Sequence, residues 1–139
     1  MARRKGSELR GFREASRQLN NMKKAAARGV GRRALQVPAK ILAAEMAARA
    51  EVLTAALRNS IKVIREKAAK GRPQVSVIAD DPAAIPNEFG TMDMTAQPFG
   101  RPALDSKKGE MLTEFGKALD DEVQKTVIRA ERRAARAEG

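Results

Sequence analysis

The chain contains no cysteine, no histidine, no tryptophan and no tyrosine. Without cysteine there is no disulfide framework and no thiolate chemistry, which fits a reducing compartment. Without histidine the side chain best suited to proton transfer near neutral pH is missing. Triads, Cys–His pairs, zinc fingers and His-ligated metal sites are all excluded together. Carboxylates remain, but no acidic motif has ligand spacing or the arrangement of an acid–base pair. The expectation is a non-enzyme with no catalytic residues, no cofactor and no metal. Aromatics are scarce as well: four Phe are the whole complement, although apolar residues make up 42% of 139 positions. Much of that fraction is alanine, which buries little area. A core of this kind is thin for a single domain, so shared burial between copies, and hence an oligomer, is expected. No run approaches the ~18 apolar residues of a membrane span, and no apolar signal region follows the basic start. A soluble, non-exported chain with no membrane partner is the reading.

Positive charge is present in excess, and it is unevenly placed. The formal net charge is +11. Residues 1–40 hold twelve Lys/Arg against Glu8 and Glu14, a net +10, whereas residues 41–139 come to +1. Arg3, Arg4, Lys5, Arg10, Arg13, Arg17, Lys23, Lys24, Arg28, Arg32 and Arg33 form a basic N-terminal arm on a nearly neutral body. Such an arm seeks a polyanion or an acidic protein surface. DNA is the obvious candidate, because neutralising phosphates releases counterions without regard to sequence. A solvated helix face that keeps the chain soluble accounts for the same residues. Base-specific readout is disfavoured, since no zinc finger, RNP-type aromatic motif or compact helix-turn-helix pattern is visible.

Hydrophobic periodicity gives the order α-α-β-β-(β)-α. Leu9, Phe12, Leu19 and Met22 place a helix over 8–27, and Gly29 and Gly31 are expected to break it. Pro38 opens a second helix to about Leu57, with Leu42, Met46, Leu53 and Leu57 along one stripe. Alternation around Ile61 and Val63 predicts a strand over 60–66, and Val75, Val77 and Ala79 a second. These form an antiparallel hairpin with Gly71 and Pro73 in its loop. A short third strand is expected at 86–91, then an irregular loop through Gln97. Pro102 suits the first turn of a last helix. Leu104, Met111, Leu112, Phe115, Leu119, Val123 and Val127 form its apolar stripe, and beyond Arg129 a charged, Ala-rich tail is expected to fray or to wait for a partner. The fold class is α+β: N-terminal helices, a small antiparallel sheet of two to four strands, and a long C-terminal helix. The divisions are 1–34 for the basic helical arm, 35–128 for the α+β domain and 129–139 for the tail.

Three segments carry a resemblance. Thr54, Leu57, Ser60 and Ile61 stand at the spacing Thr-x-x-Leu-x-x-Ser-Ile. Glu88, Phe89, Gly90 and Thr91 give Glu-Phe-Gly-Thr. Pro98, Phe99, Pro102, Ala103 and Leu104 give Pro-Phe-x-x-Pro-Ala-Leu. In this order and spacing, over roughly residues 35–125, they resemble the small tail-completion or head–tail joining (neck) proteins of long-tailed bacteriophages. Glu51 stands where that family usually has Pro and Ala55 where it has Gly. Both replacements favour helix, so the second helix is expected to run straight to Leu57.

The resemblance implies a structural virion protein of the neck, assembled in the bacterial cytoplasm. Identical subunits would form a six- or twelvefold ring between the head-closure connector and the tail. The basic arm would meet packaged DNA in the channel or an acidic ring above or below. A small basic, sequence-independent DNA-binding protein is the other reading, and it leaves the three segments unexplained. Physically, Phe89 and Phe99 are expected as core anchors. Gly90 would permit a tight turn or close backbone approach. Glu88 would pair with Arg101 or Arg58, or touch the next subunit. Met92 and Met94 lie in a loop that is either an adaptable contact or simply packed.

Overall fold

The computed structural model describes residues 13–22, 24–50, 53–69 and 72–138. Arg3, Arg4, Lys5, Leu9, Arg10, Phe12, Lys23 and Gly71 lie outside the described residues. The elements are α1 (residues 13–20), α2 (Lys24–Ala50), α3 (Ala55–Ser60), β1 (Ile61–Ala69), β2 (Arg72–Ala79), α4 (Ala84–Phe89) and α5 (Gly100–Glu138). Helices and one two-stranded antiparallel sheet make the fold α+β.

The first helix stops earlier than its periodicity implied. Asn20 and Asn21 are poor helix formers that favour helix ends. The Met22 N–H turns back to the Leu19 carbonyl at 3.1 Å, tightening the last turn. The expected break at Gly29 and Gly31 and fresh start at Pro38 are corrected: α2 is a single helix of 27 residues containing all three. A proline in a helix interior costs about 3 kcal/mol. Here both flanks are held by burial, Val30 and Ala34 in one cluster and Met46 and Ala50 in another, with Pro38 itself buried between them.

The extension of that helix to Leu57 is also corrected. Thr54 is extended (φ −147°, ψ 148°), and its hydroxyl accepts the Leu57 N–H at 3.0 Å, starting α3 as a separate helix. The Ser60 hydroxyl donates to the Leu57 carbonyl at 2.7 Å and closes the other end, whereupon Ile61 opens β1. The Thr-Leu-Ser-Ile segment is therefore one capped turn hung on a buried leucine.

Strands β1 and β2 form the expected hairpin, paired Ile61↔Ala79, Val63↔Val77 and Arg65↔Val75, with an irregularity between Glu66 and Ala69. Pro73 belongs to β2, not to the loop. The expected strand at 86–91 is instead the helix α4. Asp81 accepts the Ala83 N–H with its carboxylate at 2.9 Å and the Ala84 N–H with its carbonyl. That starts a helix whose first turn accommodates Pro86 without losing a bond.

The core has two parts. Met46, Ala50, Leu57, Ala84, Phe99 and Ala103 form one, against which Ile61, Val77 and Ala79 of the sheet pack. Ala15, Val30, Ala34, Leu119 and Val123 form the other, between α1, α2 and α5. Half of the buried apolar side chains among the described residues are alanine, so the interior is as thin as composition implied. Helix α5 continues to Glu138, and the fraying expected beyond Arg129 is replaced by regular helix. The 34/35 division falls inside α2, and the 128/129 division inside α5. The apolar stripe of α5 is covered only in part. Leu119 and Val123 are buried, whereas Leu104 and Leu112 are exposed, because the first turns of α5 turn Ala103 to the core instead. No helix of the described residues is long and apolar enough to cross a membrane.

Glycines within the helices differ in what surrounds them. A Cβ at Gly31 would lie 2.8 Å from Pro73 Cγ, so its absence lets β2 approach α2. A Cβ at Gly109 would meet nothing within 4 Å. Gly109→Ala is expected to stabilise the chain by up to about 1 kcal/mol. Gly31→Ala forces a proline ring to move, at about 1–3 kcal/mol, which outweighs the same propensity gain. Thermal melting checks the pair: Gly109→Ala should melt above the parent chain and Gly31→Ala below it.

Candidate functional site

The Glu-Phe-Gly-Thr and Pro-Phe-x-x-Pro-Ala-Leu segments meet in space, and Glu88 joins them. From the end of α4 its carboxylate reaches the start of α5. Oε2 accepts the Phe99 and Gly100 N–H groups, each at 2.9 Å, and Oε1 accepts the Arg101 N–H at 2.9 Å. Three donors that a helix start leaves unpaired are thereby satisfied by one residue eleven to thirteen positions earlier. Arg101 adds an ion pair from Nε to Oε1 at 3.0 Å, and its Nη2 donates to the Glu88 carbonyl at 2.7 Å. Of the two expected partners, Arg101 is the one Glu88 takes. Burial pushes the Glu88 carboxyl up. The N–H bonds from Gly100, Arg101 and Phe99 and the Arg101 side chain outweigh it and hold the group below its ordinary value.

Phe89, next to Glu88, is corrected. It is 65% exposed, whereas Phe99 is 3% exposed in the first core cluster. Because α4 is a helix and not a strand, burying Ala84 and Glu88 turns Ile85 and Phe89 outward, one turn apart on one face. The Arg101 guanidinium lies 5.0 Å from the Phe89 ring centroid, holding the ring at the surface.

Between the two segments, residues 90–98 fold back over the end of α4. Gly90 has φ 77°, and a Cβ there would fall 2.9 Å from the Ala96 nitrogen, so both the turn and the close approach require glycine. The Thr91 N–H donates to the Met94 carbonyl at 2.9 Å, the Asp93 N–H to the Thr91 hydroxyl at 3.3 Å, and the Gln97 N–H to the Asn87 carbonyl at 2.7 Å. The loop is thus tied at its base and across its neck. At its tip Met92 is fully exposed, while Thr91 and Pro98 also face outward. Pro102 is half-buried in the first turn of α5, and Leu104, expected in the core, is 45% exposed. Ile85 and Phe89 thus form an apolar ridge on one face of α4, and Met92 stands exposed on the hydrogen-bonded loop that follows.

A family model described as "Bacteriophage HK97-gp10, putative tail-component" matches residues 13–90, more than half of the chain. The chain belongs to this family. The match takes in the first two recognition segments up to Gly90 and agrees with the resemblance to head–tail joining proteins. The third segment lies beyond it and is tied to the matched part by Glu88. The chain has no significant match among curated proteins or among solved structures. Membership makes this gp10-like chain a phage tail component, whose working contacts are with other structural proteins of the particle.

The basic residues occupy a different part of the molecule. Arg13, Arg17, Lys24 and Arg28 are exposed, and Arg32 is half-buried on α2. Arg17 lies 3.9 Å from Glu14, and Arg33 makes a 2.7 Å ion pair with Glu122 of α5. Two features escape sequence reasoning. The capping role of Thr54 is signalled only by a hydroxyl three residues before Leu57. The place of the α5 arginines beside the arm has no local signal, because helix pairing creates it.

Proposed function

We propose that this tail component is a ring subunit of the phage neck, joining the capsid connector to the tail. The observation that carries the proposal is the apolar ridge with the Met92 that follows it: three large side chains project from a base whose hydrogen bonds restrain it. A lone subunit gains nothing from holding Ile85, Phe89 and Met92 in water. Exposed apolar side chains of this kind, gathered on an ordered surface, mark protein contacts. The alanine-rich interior supports the same reading, since identical neighbours would supply burial that one copy lacks. In this scheme residues 35–128 form the neck body, 1–34 the basic arm and 129–139 the charged end. The partners are sibling subunits, the head-closure connector and tail proteins, in a virion assembled in the host cytoplasm.

The test is genetic. A phage lacking the gene is expected to make filled heads and separate tails that do not join. Complementation with the parent chain should restore plaques, and complementation with Ile85→Asp/Phe89→Asp should not, although both positions are exposed and the fold should survive. Intact infectious particles from the deletion phage would end the neck assignment. The alternative, a basic DNA-binding protein that works outside the particle, would be favoured if mass spectrometry of purified virions found none of the chain.

A further inference from the structure

Helices α2 and α5 run antiparallel. Arg33 pairs with Glu122, and Arg49 reaches the Ser106 hydroxyl at 3.3 Å near their other ends. This pairing lays the start of α2 beside the end of α5. Between them is an open groove of about 640 Å³. Small and apolar side chains, among them Met22, Ala26, Val127 and Ala130, line it together with Arg33, Arg129 and Arg133, and with Glu131 as the one acid among the described lining residues. Arg28 and Arg32 follow on α2, and Arg132 and Arg136 on α5. None of Lys24, Arg28, Arg32, Arg129, Arg132, Arg133 and Arg136 forms an ion pair with a described residue. Cations a hundred positions apart in sequence are thus brought onto neighbouring helix ends, on and beside the groove.

We propose that the first turns of α2 and the last turns of α5 together form a surface that grips the phosphate backbone of duplex DNA without reading its sequence. Six of these seven cations are Arg, whose planar fork meets two phosphate oxygens at once. Positions 24, 28 and 32, and positions 129, 133 and 136, recur about every turn, roughly 5–6 Å apart along each helix. Such rows suit a partner whose negative charge repeats along its length, where an acidic protein would have to supply a matching pattern of carboxylates. Among the described residues no aromatic side chain lines the groove, so they offer no platform for stacking single-stranded bases. The inference rests on the neck reading only for the source of the duplex; the surface itself follows from the helix pairing.

The test is binding of the full chain to two fluorescent duplexes of unrelated sequence, titrated against salt. The variant R129Q/R132Q/R133Q/R136Q changes only exposed positions, and circular dichroism checks its helix content. It is expected to bind both duplexes about tenfold or more weakly. Its salt slope should be smaller by roughly 2–4, at about 0.9 for each phosphate that is no longer neutralised. R28Q/R32Q should act in the same direction, and Lys108→Gln near the other end of α5 should change nothing. If the quadruple variant binds like the parent while R28Q/R32Q loses affinity, the arm acts alone and the two-helix surface is wrong. If the parent chain ignores duplex but binds polyglutamate, the ligand class is wrong. Neither failure touches the neck assignment, which the deletion phage decides separately.

Discussion

Replacing Glu88 with alanine is expected to lower the free energy of unfolding by about 3 kcal/mol, because three backbone donors lose their shared acceptor at once. The N–H groups of Phe99, Gly100 and Arg101 have no intrahelical partner at the start of α5, and the Phe99 N–H is buried. Glu88→Gln keeps one carbonyl oxygen and should cost about half as much. Arg101→Gln should cost less than about 1 kcal/mol, since the Arg101 side chain is 61% exposed and its ion pair is screened by solvent. Urea denaturation orders the three. An Arg101 effect equal to that of Glu88 would mean that the ion pair, and not the backbone bonds, holds the helix start.

The same carboxylate makes stability depend on pH. Its folded value lies below the ordinary 4.5, so the unfolded chain takes up the proton first as pH falls. The stabilisation is fully present above the unfolded value. It declines as pH drops through about 4.5 and is gone below the folded value. The stability gap between the parent chain and Glu88→Gln should accordingly be constant from pH 7 to about 5.5 and shrink as pH falls through about 4.5. A gap that stays level across the acid range would show that folding leaves the Glu88 carboxyl at its ordinary value.

Phe99→Ala is the second large effect, expected at about 3–5 kcal/mol from reduced burial and the cavity it leaves. Phe99 shares its cluster with Leu57 and Met46, and the other buried members, Ala50, Ala84 and Ala103, are too small to close over a gap. Phe89→Ala should cost less than about 1 kcal/mol, chiefly the interaction with Arg101. On the neck proposal it should nonetheless impair joining of heads to tails. The two phenylalanines, ten positions apart, separate folding from assembly: one variant should unfold easily, the other should fold and fail to work. Equal destabilisation by both would contradict the exposure of Phe89.

That contrast also marks how far the sequence can be read. The hairpin is legible because a period of two residues leaves one register that buries Ile61, Val77 and Ala79 together. Pro102 and Gly90 are legible because their backbone restrictions admit few conformations. Phe89 is misplaced by a pattern that reads as a strand, and a helix there sends the side chain the other way. Asp81 and Pro86 carry the helix signal, but short elements leave little periodicity to weigh. Pro38 misleads for the opposite reason: local chemistry says stop, and burial on both flanks of α2 overrides it. Leu104 is drawn into the core by a stripe that α2 covers only farther along. The arginines of α5 are visible as residues, but the pairing that sets them beside the arm belongs to tertiary structure.

Pro38 has a mechanical effect as well. The amide ladder of α2 lacks the proline's N–H there, and the gap falls between Ala34 in one cluster and Met46 in the other. Helix α5 spans the same distance with no proline after its first turn. The molecule is therefore built like a spine with a single softened vertebra alongside it. The missing bond makes that turn the weakest point of α2 between the end that bears the ridge and the end that bears the arginines.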